Sequence, residues 1–160
     1  MATSQNNYQP MMKSYSLKGS GQQCQVKMMT EDGYQICSDT PIKQGGQGEY
    51  AQPIQLFLTS LVGCELATAR YIANQMGVKI FSIDFDIQAE RDEWGARHIP
   101  VDESAPVVAR LQRIWGTALV DTDGTEEQVQ TLKNIVKIRC PVANMVVLSG
   151  CKLEVEWKKK

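Results

Sequence analysis

The feature that most constrains the fold of this chain is a long helical pattern whose first half carries no charge. The pattern runs from Ile54 to Met76, follows Pro53 at a position suited to the start of a helix, and stops at Gly77. No charged residue occurs from Ala51 to Cys64. Because a helix that is apolar on every side is usually buried, we predict a long buried central helix. The polar groups of its second half argue against a membrane span.

Strand patterns lie on both sides of this helix. Before it, the alternation around Val26 and the turn signal at Glu31–Gly33 predict an N-terminal β-meander. After it, residues 81–88 alternate between apolar and polar side chains, which is the clearest strand pattern in the sequence. A charged excursion then leads to a second extended stretch, residues 107–120, in which Gly116 is a candidate β-bulge.

Two helices and a strand complete the pattern. Thr125 and Gln128 have the spacing of a capping box and predict the start of a helix. Cys140-Pro141 ends that helix, residues 142–148 form a second, and residues 151–157 alternate as a last strand. Strands, a buried helix, further strands, a C-terminal helix pair and a strand are typical of the α+β class.

Length and composition limit the domain organisation and the function classes. We predict that residues 1–12 are a disordered tail and that residues 13–160 form a single domain. A net charge of −1 gives no basic footprint for nucleic acid. The polar N-terminus has no apolar signal-peptide core, so we expect a cytoplasmic protein that does not bind membranes.

The cysteines are the residues most suited to chemistry. There are five of them in the chain, with no Cys-x-x-Cys pair and only one histidine. An odd number in a cytosolic chain does not predict a disulfide framework, and a structural zinc site needs four organised ligands. We therefore expect no metal and no bound cofactor, and a redox or catalytic role for any special cysteine.

Two cysteines have informative surroundings. Cys64 lies inside the long helix beside small residues such as Gly63, which leave room near the sulfur, although a buried core thiol is the simpler alternative. Cys140 precedes Pro141 and is a candidate helix N-cap. There the helix end and Arg139 would lower the pKa of the Cys140 thiol, unless Cys-Pro is merely a helix break. Sequence spacing alone does not bring the two sulfurs together.

Two ordered motifs resemble the OsmC-like, or organic hydroperoxide resistance, family. In that family an Asp-x-Pro and Gly-Gly loop leads through Pro-x-Glu-Leu into a helix that reaches a cysteine. Here Ser38–Pro41, Gly45-Gly46 and Pro53–Cys64 follow that order, and Cys140-Pro141-Val142 matches the second half. The resemblance extends from about Tyr15 to Trp157.

The resemblance implies a fold and a reaction. The fold is the OsmC-like α+β fold, assembled as an intertwined homodimer. Cys64 takes the role of the nucleophile that is oxidised to a sulfenic acid by an organic hydroperoxide, and Cys140 resolves it to a disulfide. An external dithiol reduces that disulfide. The alternative is a non-peroxidase OsmC-like dimer that acts as a small-molecule binding or redox-sensing module.

The chain departs from the family at one charged pair. Peroxidase members carry a glutamate in Pro-x-Glu-Leu that pairs with an arginine from the N-terminal strands. Here Gln55 stands at the glutamate position, and no arginine occurs before Arg70. Gln55 remains a supporting candidate through hydrogen bonding, and Lys43 or Arg70 are alternative sources of charge. We therefore predict a peroxidase of reduced efficiency, with rates that rise as the pH passes neutrality.

Two further titratable residues have open interpretations. Glu65 is either an acid–base group beside Cys64 or a solvated, ion-paired helix residue. His98 is either the partner of a catalytic cysteine or a surface-loop residue.

Overall fold

The computed structural model describes residues 9–160, which form two compact units, one extending to Leu56 and the other comprising Phe57–Lys160. Residues 1–12 are predicted to be a disordered tail, and residues 1–8 of this tail lie outside the described residues. Residues 9–12 are exposed and have no regular secondary structure. The single domain over residues 13–160 stays a prediction.

The first unit contains the predicted β-meander. Its strands are β1 (Leu17–Gln22), β2 (Gln25–Thr30) and β3 (Gln35–Ser38), which pair antiparallel in the order β1-β2-β3. The predicted turn joins β2 to β3, and Gly33 adopts a φ of +82°, which a residue without a Cβ accepts at low cost.

A buried carboxylate organises the loop that follows β3. Asp39 is fully buried, and its carboxylate accepts hydrogen bonds from the backbone N–H groups of Thr40, Gln47 and Glu49 and from the Gln25 amide. Burial by itself raises the pKa of Asp39, but these donors outweigh it, so the pKa is lowered. A Cβ on Gly46 would collide with the Thr40 carbonyl. The Asp-x-Pro and Gly-Gly motif is therefore a loop-building device.

The long helix, α1, spans Pro53–Gln75 and confirms the predicted element. Its buried residues form one stripe at helical spacing: Leu61, Glu65, Ala69, Ile72 and Ala73. Burial is therefore limited to one face. In its charge-free first half Ile54 and Phe57 are 36% and 39% exposed, so this part remains uncovered in the single chain.

By length and composition α1 also meets the criteria for a membrane-crossing helix, with a hydropathy of 1.3, contrary to the interpretation that it is too mixed. Core helices of water-soluble proteins meet the same criteria. The buried apolar residues of its stripe, Leu61, Ala69, Ile72 and Ala73, belong to the core of the second unit.

The second unit is built on a three-stranded sheet. Its strands are β4 (Ile80–Arg91), β5 (Leu111–Thr122) and β6 (Lys152–Lys159). β4 and β5 pair antiparallel, whereas β5 and β6 are parallel neighbours. A parallel pair needs a crossover connection, and the helix pair α2 (Glu126–Arg139) and α3 (Pro141–Leu148) supplies it.

The region between β4 and β5 is more regular than the sequence indicates. β4 continues to Arg91, beyond the expected end of the strand, and a short 3-10 turn follows at Glu93–Gly95.

The prediction of a bulge at Gly116 is wrong, because Gly116 pairs in register with Ile87. A glycine is needed there for another reason: a Cβ would collide with the Asp86 carbonyl on β4.

The helix pair is capped as its sequence predicts. The Thr125 hydroxyl accepts from the Gln128 N–H at 3.2 Å, and the Gln128 side chain accepts from the Thr125 N–H at 2.8 Å, which completes the capping box.

The hydrophobic core of the second unit contains apolar residues from α1, α2, α3 and all three strands, among them Leu61, Ile114, Val120, Val136 and Trp157. Burying this apolar surface is the main source of the unit's stability.

Candidate functional site

The Cys64 and Cys140 thiols are hydrogen-bond partners. Cys64 lies on α1 and is half-buried, whereas Cys140 lies at the junction of α2 and α3 and is fully buried. A Cβ added to Gly63 would meet no atom within 4 Å, so there is open space on the helix next to Cys64. The fold therefore brings together the two cysteines that the sequence singles out, and leaves only one of them near solvent.

Cys140 is the N-cap of α3, as Pro141 indicates. Its sulfur accepts from the Ala143 N–H at 3.4 Å, and its backbone N–H donates to Val136 at the end of α2. The predicted lowering of its pKa is wrong. Burial raises the pKa of Cys140 to about 11, and the hydrogen bond and negative charge of Cys64 add to this, with a further contribution from Glu65. One helix N–H lowers the pKa but does not compensate for burial.

A cavity of about 510 Å³ is formed by residues of α1 that follow Cys64 and by the last residue of α2. It is lined by Ala67, Thr68, Tyr71 and Arg139. Thr68 donates its hydroxyl to the Cys64 carbonyl at 2.8 Å, and Arg139 immediately precedes Cys140. Neither Lys43 nor Arg70 lines this cavity, whereas Arg139 does.

Glu65 is neither solvated nor ion-paired, contrary to the simpler interpretation of the sequence. It is 5% exposed, and its Oε2 atom has no hydrogen-bond partner among the described residues. Burial raises the pKa of Glu65 to about 7. A signal was present in the sequence, since positions 61, 65, 69 and 72 share one face of a helix. An apolar stripe interrupted by a carboxylate predicts a buried acid.

Glu65 lines a second cavity, of about 710 Å³. The floor of this cavity is apolar, with Val136 from α2 and Trp157 from β6, and Lys133 and Lys137 lie one helical turn apart at its side. Neither Cys64 nor Cys140 lines it. Glu65 therefore has the cysteine pair on one side and a solvent-accessible space on another.

The remaining candidates lie in ordinary surroundings. The Gln55 side chain accepts from the Gln52 N–H at 2.9 Å and caps the start of α1. His98 is exposed, and its ring packs 5.7 Å from Trp94, in agreement with a surface loop. Within residues 9–160 no group of three or more potential ligands is arranged to hold a metal ion.

Of the three other cysteines, Cys37 lies on a strand. Cys24 lies in the turn between β1 and β2, and Cys151 immediately precedes β6. Burial raises the pKa of Cys151.

The sequence matches the model of the OsmC-like protein family over residues 46–156. This segment includes the helix that carries Cys64 and the junction that carries Cys140. The protein belongs to the OsmC-like family. No curated protein matches the chain.

Solved structures of the family have the same α+β fold. An OsmC-like protein from Mycoplasma pneumoniae is 21% identical, with a TM-score of 0.73, and the match covers 93% of this chain and 99% of that protein. The organic hydroperoxide resistance protein OsmC from Legionella pneumophila is 16% identical, with a TM-score of 0.66 and coverages of 93% and 99%.

An organic hydroperoxide resistance protein from Elizabethkingia anophelis, with thiocyanate from the crystallisation medium bound, is also similar. It is 15% identical, with a TM-score of 0.69 and coverages of 95% and 100%. The likeness to these structures shows that the chain has their fold.

Proposed function

We propose that this protein reduces organic hydroperoxides with Cys64 as the nucleophile and Cys140 as the resolving cysteine. The observation that carries the proposal is the hydrogen bond between the two thiols. A disulfide requires two cysteines whose Cα atoms lie within about 7 Å, and contact between the sulfurs is the state that precedes it. The family membership and the peroxide-resistance relatives support the same chemistry.

Exposure supports the division of roles. A peroxide has to reach the sulfur that attacks it, and of the two cysteines only Cys64 is partly exposed. Cys140 is fully buried, and its raised pKa keeps it protonated until it is needed. A protonated neighbour does not compete for the peroxide, because the thiolate is the reactive form.

The reaction has three balanced steps. The Cys64 thiolate attacks the distal peroxide oxygen, the O–O bond breaks, and the alkoxide takes a proton and leaves as an alcohol. Cys140 then attacks the Cys64 sulfenic acid, losing its own proton as the S–O bond breaks and water leaves. An external dithiol reduces the Cys64–Cys140 disulfide by thiol–disulfide exchange and is itself oxidised.

The cavity lined by Arg139 suits an organic peroxide. Its volume of about 510 Å³ lies in the range of small-molecule sites, and Ala67 and Tyr71 give it an apolar wall. Arg139 lines the same cavity, and the role proposed for it is to stabilise the negative charge of the thiolate and of the departing alkoxide. Arg139 thus substitutes in part for the charged pair that the chain lacks, while Gln55 acts at a distance by capping α1.

The assembly we propose is a cytoplasmic homodimer. Apolar side chains remain uncovered on the charge-free half of α1 and on the meander strands, where Leu17 and Met29 are 53% and 43% exposed. Exposed apolar surface on this scale is typical of an interaction face. A second copy of the chain would cover it.

The test is turnover. The purified protein is mixed with an organic hydroperoxide and a dithiol reductant, and alcohol formation is followed. We expect turnover with the wild type and none with Cys64→Ser, while Cys37→Ser, a matched change at a half-buried cysteine in the other unit, keeps the rate. Turnover by Cys64→Ser would refute the assignment.

A redox-sensing module is the second candidate. It is favoured by the raised pKa of Cys140, which slows the resolving step, and by the absence of the family's glutamate. A sensor would form the Cys64–Cys140 disulfide once per protein and be reduced slowly. A peroxidase would consume many equivalents of hydroperoxide per protein, so measuring the stoichiometry distinguishes the two.

A further inference from the structure

The proposed reaction requires a proton acceptor for Cys140. The thiol must lose its proton as the disulfide forms, yet Cys140 is 0% exposed, so bulk water does not reach it. Its pKa of about 11 means that spontaneous ionisation near neutral pH is rare. A buried thiol of this kind resolves a sulfenic acid quickly only if a protein group takes the proton.

Few groups can accept the proton of the Cys140 thiol. The ionisable groups whose charge acts on Cys140 are Cys64 and Glu65. Cys64 has become the sulfenic acid at this stage and is no longer available as a base. Arg139 is a permanent cation and does not accept a proton. Glu65 is the remaining acceptor.

Glu65 has the geometry of a group that exchanges protons with solvent. Glu65 is 5% exposed, and its Oε2 atom has no hydrogen-bond partner within the part of the chain that the structure describes. It lines a cavity of about 710 Å³, which is large enough for several water molecules. An unpartnered buried carboxyl oxygen beside such a space is suited to binding water.

We propose that Glu65 accepts the Cys140 proton during disulfide formation and passes it to water in the adjoining cavity. This inference rests on the proposed function and assigns a residue that the family resemblance does not supply. Glu65 follows Cys64 directly on α1, so one helix turn holds both the sulfur that is attacked and the base that assists the attack.

The step balances. The Cys140 S–H proton moves to the Glu65 carboxylate while the Cys140 sulfur forms a bond to the Cys64 sulfur. The S–O bond of the sulfenic acid breaks, and the leaving hydroxide takes a proton from solvent water at the partly exposed Cys64 and becomes water. The hydroxide that this transfer leaves in solvent is neutralised by the proton that Glu65 releases. Glu65 then returns its proton to the cavity, and two thiol equivalents have been oxidised to one disulfide.

The surroundings of Glu65 set the pH at which it works. Burial raises its pKa to about 7, so the carboxylate form needed for the step becomes the major form above neutrality. The charged groups that line the same cavity come from β4, β5, α2 and β6 and have both signs: Asp86, Arg113, Lys133, Lys137, Glu154 and Glu156. Arg113 is paired with Glu154 at 2.6 Å, which leaves the two lysines as the cations facing the cavity.

The experiment separates the two chemical steps. Reduced protein is oxidised with one equivalent of hydrogen peroxide, which oxidises accessible thiols without requiring recognition of an organic substrate. The Cys64 sulfenic acid is trapped with dimedone and the disulfide is quantified by mass spectrometry, from pH 5.5 to 8.5. Wild type, Glu65→Gln and Glu127→Gln are compared, the last being a solvent-exposed glutamate on α2.

We expect Glu65→Gln to form the sulfenic acid at the wild-type rate and to close the disulfide at least about tenfold more slowly at pH 7.5. The wild-type closing rate rises through an inflection near pH 7, and this inflection is absent in Glu65→Gln and present in Glu127→Gln. An unchanged closing rate in Glu65→Gln overturns the inference, as does a wild-type closing rate that is flat across this range, even if Glu65→Gln does not fold. Failure of the proposed function looks different, since Cys64 then forms no sulfenic acid in any variant.

Discussion

Cys140 and Cys64 are in side-chain contact, although β4, β5 and α2 all lie between them in the sequence. Both cysteines belong to the same core, in which Cys140 is buried and Cys64 packs against the buried residues. The two cysteines also differ, since one is half-buried and the other is fully buried. This difference in exposure underlies the different role that we propose for each sulfur, and the following predictions test it.

Replacing Cys140 with serine should stop the reaction after its first step. Cys64 keeps its access to peroxide, so the sulfenic acid forms, but no second sulfur is present to resolve it. Mass spectrometry should detect a dimedone adduct on Cys64 in Cys140→Ser even when dimedone is added after oxidation, whereas in the wild type the sulfenic acid has by then become the disulfide and gives no adduct. Cys151→Ser is the matched control at another buried cysteine. A disulfide from Cys64 to Cys24, Cys37 or Cys151 in the oxidised wild type would contradict the pairing.

Removing the charge of Arg139 should slow the reaction of Cys64. A partly exposed charge is worth up to about 1 kcal/mol, so we expect roughly fivefold slower reaction of Arg139→Gln with an organic hydroperoxide. Arg70→Gln removes an exposed arginine that does not line the cavity, and it should react at the wild-type rate. Stopped-flow measurement of the first oxidation step gives both rates, and equal rates for the two variants would exclude a role for Arg139.

The buried carboxyl of Glu65 should make the protein less stable at high pH. Its folded pKa of about 7 lies above the ordinary 4.5, so the folded state binds the proton more tightly than the unfolded state does. The associated stability is present below pH 4.5 and is lost as the pH rises through 7, by up to about 3 kcal/mol. Glu65→Gln should remove this loss. Urea unfolding at pH 5 and pH 8 measures it, and an identical pH dependence in both proteins would contradict the burial argument.

Asp39 should have the opposite pH dependence. Its pKa is lowered in the folded state, so its contribution to stability is present at neutral pH and is lost as the pH falls through the folded pKa. Asp39→Asn places an amide among backbone N–H donors and should lower the thermal midpoint at pH 7. The difference from the wild type should shrink in acid. Asp32→Asn, in the exposed turn before β3, is the control and should leave the midpoint unchanged.

The uncovered apolar residues of α1 should support self-association. We expect light scattering to give the mass of a dimer at micromolar concentration, and a double change of Ile54 and Phe57 to serine to shift the protein towards the monomer. Tyr34→Ser, an exposed aromatic in the turn before β3, is the control for loss of apolar surface. A wild-type protein that remains monomeric at this concentration would exclude the homodimer.

Much of the architecture could be predicted from local patterns. The alternation in β4 and the capping box at Thr125 fix their elements because the hydrogen bonds that define a strand or a helix start are made by residues close in sequence. The charge-free start of α1 predicted a helix correctly, yet its burial depends on what packs against it, and Phe57 is exposed in the single chain. Gly116 also depends on the tertiary structure, because both its φ of +151° and the close approach of its neighbour across the sheet require the glycine.

The sequence by itself determined the helices and strands, the OsmC-like family and the choice of Cys64 and Cys140 as the residues to examine. Only the tertiary structure decided how these residues behave. Helix-end electrostatics indicated an acidic Cys140 thiol, but the core around it reverses the direction of its pKa shift. Glu65 became a buried, unpartnered acid for the same reason. Desolvation depends on atoms from distant parts of the chain, and no local pattern of residues contains that information.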